Sequence, residues 1–267
     1  MNFPVSTHPP PPTGRTPALN TWRCFGTQQT DLEVNFRATA RPTLVTSLLA
    51  ASDTAHGDAG SYWLGQTVPH RTLGLLQLVA TTESTSVFSI ELQCQEARCR
   101  EPAFEISVPL EALIKRQNDG DARMIEKSRN TTALFRPPTG HDQECWLHLP
   151  RTPQAFETMA GTLLIRDTLD DGWMEQAESI LAELDPLTAF TVTCACPGCE
   201  AEASHPVDLE AYALARLLRH QTALINTVHR IAITYGWSEA EIMAIPEWRR
   251  TAYDRRIREA TEEGGAW

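Results

Sequence analysis

The sequence predicts an α+β fold: two related helix–strand–cysteine-knuckle halves that share a four-cysteine site, followed by a long helix and a helical C-terminal arm. Three observations predict it. Phe88-Ser89-Ile90-Glu91-Leu92 alternates like a strand and runs into Cys94 and Cys99. Phe190-Thr191-Val192-Thr193 alternates in the same way and runs into Cys196-Pro197-Gly198-Cys199. From Leu209 to Tyr235, apolar residues recur at three- and four-residue steps, the longest helix signal in the chain.

Each element follows from its residues. Residues 1–18 hold Pro9 to Pro12 in succession among Ser and Thr, which predicts a disordered, polyproline-like tail. Leu32-Glu33-Val34-Asn35-Phe36 alternates and predicts an isolated strand. Leu73, Leu76 and Leu78 predict a short helix over 72–79, with Gly74 counting against it. After the first cysteine pair, Phe104, Ile106 and Val108 alternate again, and Pro109 opens a helix through Leu113 and Ile114. Residues 117–153 are polar and broken by Pro137, Pro138, Pro150 and Pro153, and read as a connector with one strand.

Two helices follow, one through Phe156, Met159, Leu163 and Leu164, the other through Trp173, Ala177, Ile180, Leu181 and Leu184. The strand into the second pair and the long helix then repeat the order of the first half. Gln221 interrupts the long stripe, and Gly236 supplies the stop, since glycine accepts positive φ. Ser238-Glu239-Ala240-Glu241 is a capping box, and Pro246 ends that short helix and opens the last one. The predicted division is a tail over 1–18, a mixed domain with an internal repeat over 19–236, and an arm over 237–267.

Composition bounds the function. The chain has 267 residues, 42% of them hydrophobic, and a net charge of −11. That charge disfavours nucleic acid and anionic membranes as partners. The first residues lack the basic start and apolar core of a secretion signal, and no apolar run matches a bilayer's thickness. The expected compartment is a reducing bacterial cytoplasm, where the seven cysteines act as thiols and metal ligands.

Zinc binds four thiolates in a tetrahedron, so Cys94, Cys99, Cys196 and Cys199 form the candidate ligand set of a zinc-ribbon-like site. Cys196-x2-Cys199 has the tight-turn spacing, while Cys94-x4-Cys99 is looser. Cys194 reads as the strand residue before the turn and His205 as the reserve ligand. Cys24 and Cys145 are isolated, and burial accounts for them. His229 reads as a packed or half-exposed helix residue. Asp167, Asp170 and Asp171 read as a helix-start cluster. No nucleophile elbow, P-loop or dinucleotide fingerprint is present, which points away from an enzyme and from a small-molecule substrate.

The C-terminal third resembles a known family. Val228-His229-x-x-Ala232-x-x-Tyr235-x-Trp237-Ser238-Glu239-Ala240-Glu241-Ile242 and Pro246-x-x-Arg249-Arg250-x-x-Tyr253 are similar to the baseplate hub assembly proteins of contractile-tailed phages of the T-even type, with relatives in contractile injection systems. Phe135-Arg136-Pro137-Pro138-Thr139, Leu163-Leu164-Ile165-Arg166 and the C-P-x-C at 196–199 extend the likeness upstream. The first pair departs from it, with Cys94-Gln95-Glu96-Ala97-Arg98-Cys99 in place of C-P-x-C.

The resemblance implies a non-enzymatic assembly chaperone or small structural part of a baseplate hub, and it carries over no catalytic residues. Independently, Trp237, Ile242, Trp248, Arg249, Arg250 and Tyr253 gather the residue types of interface anchors, and are the expected contacts to a hub or other tail protein. The competing readings are a zinc-ribbon module for protein or nucleic acid and a thiol-dependent redox enzyme.

Overall fold

The computed structural model describes residues 21–100, 103–121, 134–150, 152–166 and 173–264. The proline-rich tail and the Asp167, Asp170 and Asp171 cluster lie outside these residues.

The chain opens with a 3-10 turn over Gln29–Leu32. The strand expected over 32–36 does not form. Gln221 Nε2 instead donates to the carbonyls of Asp31 at 2.8 Å and Val34 at 3.0 Å. Those acceptors are what a neighbouring strand would have needed. The glutamine that breaks the long helix's apolar stripe is thus a buried clamp on the N-terminal turn.

Helices α1 (Arg41–Ser52) and α2 (Ala59–Gly65) come next, neither of them foreseen. α1 starts at a proline in its first turn and buries Leu44, Val45, Leu48 and Leu49. α3 (Val68–Glu83) is twice as long as the expected helix, and every residue from Val68 to Ala80 is buried. It is the central helix, enclosed on all sides, so its apolar residues show no single stripe. Gly74 belongs there for a packing reason. A Cβ at that position would lie 3.0 Å from the Trp63 ring, and Trp63 is fully buried.

Strands β1 (Val87–Gln93) and β2 (Ala103–Pro109) pair antiparallel, with Phe88 opposite Val108 and Leu92 opposite Phe104. α4 (Leu110–Asp121) follows at once. β3 (Leu134–Phe135) pairs with β4 (Leu164–Arg166). Between them lie α5 (Gly140–Trp146) and α6 (Pro153–Leu163). α5 sits in the stretch expected to be a connector, and starts on a Thr139/Asp142 capping box. On α6 the inward residues are Ala160 and Leu163, while Phe156 is exposed.

The second half runs α7 (Trp173–Leu184), β5 (Thr191–Ala195), β6 (Glu202–Pro206) and α8 (Leu209–Tyr235). Ala177, Ile180 and Leu184 are buried with Phe135 and Leu163 in a satellite core. α8 starts on the Asp208 side chain and ends at Gly236, which has φ 69°. α9 (Glu239–Ala244) and α10 (Glu247–Gly264) complete the chain. The two halves therefore share one order, helix–strand–knuckle–strand–helix. α3 of the first half packs on α8 of the second, and α7 of the second on α4 of the first. Exchanging the halves maps one contact onto the other. Phe88, Leu92, Phe190 and Leu217 meet in one main core that spans both halves. Among the described residues, no helix is long and apolar enough to cross a membrane.

Candidate metal centre

Two hairpin tips build the site. β1 leads from its buried residue Leu92 straight into Cys94, and the turn closes when Cys99 N–H donates to Glu96 O at 3.0 Å. β5 leads into Cys196, where Glu200 N–H donates to Cys196 O at 2.8 Å. Glu200 takes a φ of 60° so that the chain can turn into β6. Gln95 Nε2 reaches across to Ser204 O at 3.3 Å and ties the first tip to β6 of the second hairpin.

This arrangement brings Cys94, Cys99, Cys196 and Cys199 together, with all four Sγ atoms within 4.8 Å of one another. The nearest sulfurs belong to different hairpins. Cys94 and Cys199 are 3.6 Å apart, and Cys99 and Cys196 are 3.7 Å apart. A tetrahedron with metal–sulfur bonds of about 2.3 Å has edges of about 3.8 Å, so these spacings fit a tetrahedral thiolate site. The exchange of halves that relates α3–α8 to α7–α4 also swaps the two sulfur pairs.

The electrostatics differ between the sulfurs. Burial pushes the Cys196 thiol up, but the backbone N–H groups of Gly198 and Cys199 and the facing thiols of Cys94 and Cys99 outweigh it, leaving a pKa of about 7. The Glu96 N–H stabilises the Cys94 thiolate, yet burial and the facing Cys196 and Cys199 raise that thiol overall. Cys196 is therefore more ready than Cys94 to bind as a thiolate. The site can hold one metal ion with four protein ligands.

The other candidates fall elsewhere. Neither Cys194 nor His205 belongs to the ligand group. Cys194 packs against the main core. His205 is buried and meets the Phe104 ring edge-on at 5.9 Å. Cys24 is partly buried, with its thiol near Thr81 O at 3.6 Å. Cys145 is exposed on α5, so burial does not account for it.

The six arm residues divide. Ile242 is fully buried with Met243, Val228 and Ile231 in a third cluster, so it cannot touch a partner. Arg250 is 4% exposed and donates to the carbonyls of Met243 and Ile245 at 3.0 and 2.9 Å. It satisfies the orphan carbonyls at the end of α9, an internal role. Trp237 and Tyr253 are half-buried and form a ring cluster with Tyr235. Arg249 is exposed over the Tyr253 ring at 5.5 Å. Trp248 is 73% exposed.

One feature had no sequence signal. A cavity of about 560 Å³ lies where the two halves meet, walled by Pro42, Val68, Leu187 and Phe190. At its edge Arg41 Nη1 donates to Asp208 at 2.8 Å, and its Nε donates to the buried Glu210. Arg41 and these carboxylates lie in separate parts of the chain, so only the fold brings them together. Compared with family models, with curated proteins and with solved structures, the chain matches none of them.

Proposed function

We propose that this protein is a non-enzymatic assembly chaperone or small structural part of the baseplate hub of a phage or phage-like contractile tail, working in the bacterial host cytoplasm and stapled by one zinc ion. The four-thiol geometry supports the zinc. Sulfur spacings of 3.6 and 3.7 Å match a tetrahedral edge. Four thiolates in a tetrahedron suit zinc among common divalent ions. Four protein ligands fill the metal's coordination, so the ion holds the halves together and offers no open position for a substrate. Elemental analysis should find one zinc per chain. Iron, or no metal, would remove the zinc.

The observation that carries the partner reading is Trp248. The resemblance to hub assembly proteins covers the arm, and there a large aromatic stands 73% exposed beside the exposed Arg249. Arg250 and Ile242 support the arm from inside. Truncating an aromatic anchor costs about 2 kcal/mol, roughly thirtyfold in affinity. Trp248→Ala should therefore lose capture of hub proteins encoded in the same gene cluster, while its circular dichroism and zinc content stay unchanged. Undiminished capture by the variant would place the contact elsewhere.

A further inference from the structure

We infer that the outer face of α8 is a self-association surface on which a second copy of this chain packs its own α8 antiparallel. The face is unusual in what it lacks. The exposed residues of α8 carry a single formal charge, Arg219. α10 shows the ordinary alternative, with Glu247, Arg249, Arg255, Arg256, Arg258 and Glu259 all exposed. A helix face that stays in water is normally of the α10 kind. On α8, Ile225 is 46% exposed and Ile233 is 72% exposed.

The spacing is that of a helix-pairing seam. Leu218, Thr222, Ile225 and His229 follow one another at steps of four, three and four, along the flank of the helix beside the buried Gln221 and Val228. The seam continues through Ala215 and Ala211 toward the N-terminus, and to Ile233 at the other end.

The size profile selects the occupant. Small residues stand at one end, Ala211 and Ala215, and large ones at the other, His229 and Ile233. An antiparallel copy centred on Thr222 sets Ala211 against Ile233, Ala215 against His229, and Thr222 against its own copy. At both ends a bulky residue then meets a small one, which lets the two backbones approach evenly along about 33 Å of helix. A parallel copy would set large against large at one end and leave a gap at the other. Charge favours the same face. Two chains of net charge −11 repel, and here they meet with no carboxylate among the exposed residues of α8.

The test uses the full chain with its metal. Sedimentation equilibrium across the micromolar range should show a monomer–dimer equilibrium. Ile225→Glu and, separately, Thr222→Arg should each weaken it by about thirtyfold or more, since each places a charge in the seam. Both positions are exposed, so the thermal midpoint should hold. Orientation is read by cysteine cross-linking under mild oxidation, against the wild-type background. Thr222→Cys should link two chains across the axis. Ala211→Cys should not, because its copies lie about 33 Å apart. A wild type that stays monomeric throughout, charged variants that dimerise normally, or linking at Ala211 as readily as at Thr222 would each overturn the inference.

Discussion

The two halves share one plan and carry opposite weights. In the first half the helix that enters the knuckle, α3, is the buried centre of the molecule. In the second half the helix that leaves the knuckle, α8, is the dominant one, and α3 packs on it. The knuckles differ as well. Cys94 and Cys99 are separated by four residues, Cys196 and Cys199 by two, and only the second pair has a sulfur as buried as Cys196 at 3% exposed. The difference teaches that a repeat can keep its geometry at the shared point while its helices diverge. The four sulfurs come within 4.8 Å of one another, which fixes both hairpin tips, whereas a helix is free to lengthen wherever neighbours bury it.

The strongest way to break the comparison is at the sulfurs. Cys94→Ser and Cys196→Ser occupy equivalent places, the first cysteine of each knuckle. Each should lose the metal and destabilise the fold to a similar extent, by several kcal/mol, because metal binding is coupled to folding in such sites and contributes about 10 kcal/mol or more. Metal content and chemical denaturation read both. If Cys94→Ser keeps its metal while Cys196→Ser loses it, the looser first knuckle is dispensable and the symmetry is only apparent.

A smaller effect compares the phenylalanines that start the two strands. Phe88 is 1% exposed and meets the Tyr212 ring edge-on at 5.9 Å. Phe190 is 7% exposed, lines the cavity, and has the Arg116 guanidinium 5.1 Å from its ring centre. Phe88→Ala should cost about 4 kcal/mol in urea denaturation, and Phe190→Ala about 1 kcal/mol less, since one of its sides already faces open space. Equal costs would show that the cavity closes around the missing ring.

The smallest effect sharpens the contrast by pH. Burial lowers the pKa of His70 on α3 to about 4, and the like charge of His56 adds to it. The folded protein keeps this ring neutral while the unfolded chain protonates it near 6.5. Its contribution is therefore complete above about pH 6.5 and is lost as pH falls toward 4, by about 3 kcal/mol. In the second half the sign reverses. Burial raises the carboxyls of Asp185 and Glu210, so their contribution is present at low pH and is lost as pH rises through their titration. Stability of His70→Gln measured against pH should lose the slope between 6.5 and 4 that the wild type shows. An unchanged slope would assign it to other groups.

Much of the site was legible because its chemistry is local. Paired cysteines at knuckle spacing after alternating strands point to one metal wherever the strands lie. α8 was legible because a long stripe between an aspartate cap and a glycine stop leaves few alternatives, and the Ser238 and Glu241 box forms as read. α1 and α2 were not, although Leu44, Val45, Leu48 and Leu49 held a helical period. Their stretch is rich in Thr, Ser, Ala and Gly, which mask that period.

By itself, then, the sequence determined the elements whose signals are short-range: period, caps, stops and the cysteine pairs. It determined that four thiols were available, and the order of the two halves. Only the tertiary structure decided which sulfurs lie nearest, and they pair across the hairpins over about a hundred residues of chain, which no local spacing encodes. It also decided that Leu32 to Phe36 would surrender its carbonyls to Gln221 instead of forming a strand. It turned Arg250 and Ile242 inward, and left Trp248 and the back of α8 in water. Burial is a property of what packs from elsewhere in the chain, so residue type alone could nominate anchors but could not say which of them face outward.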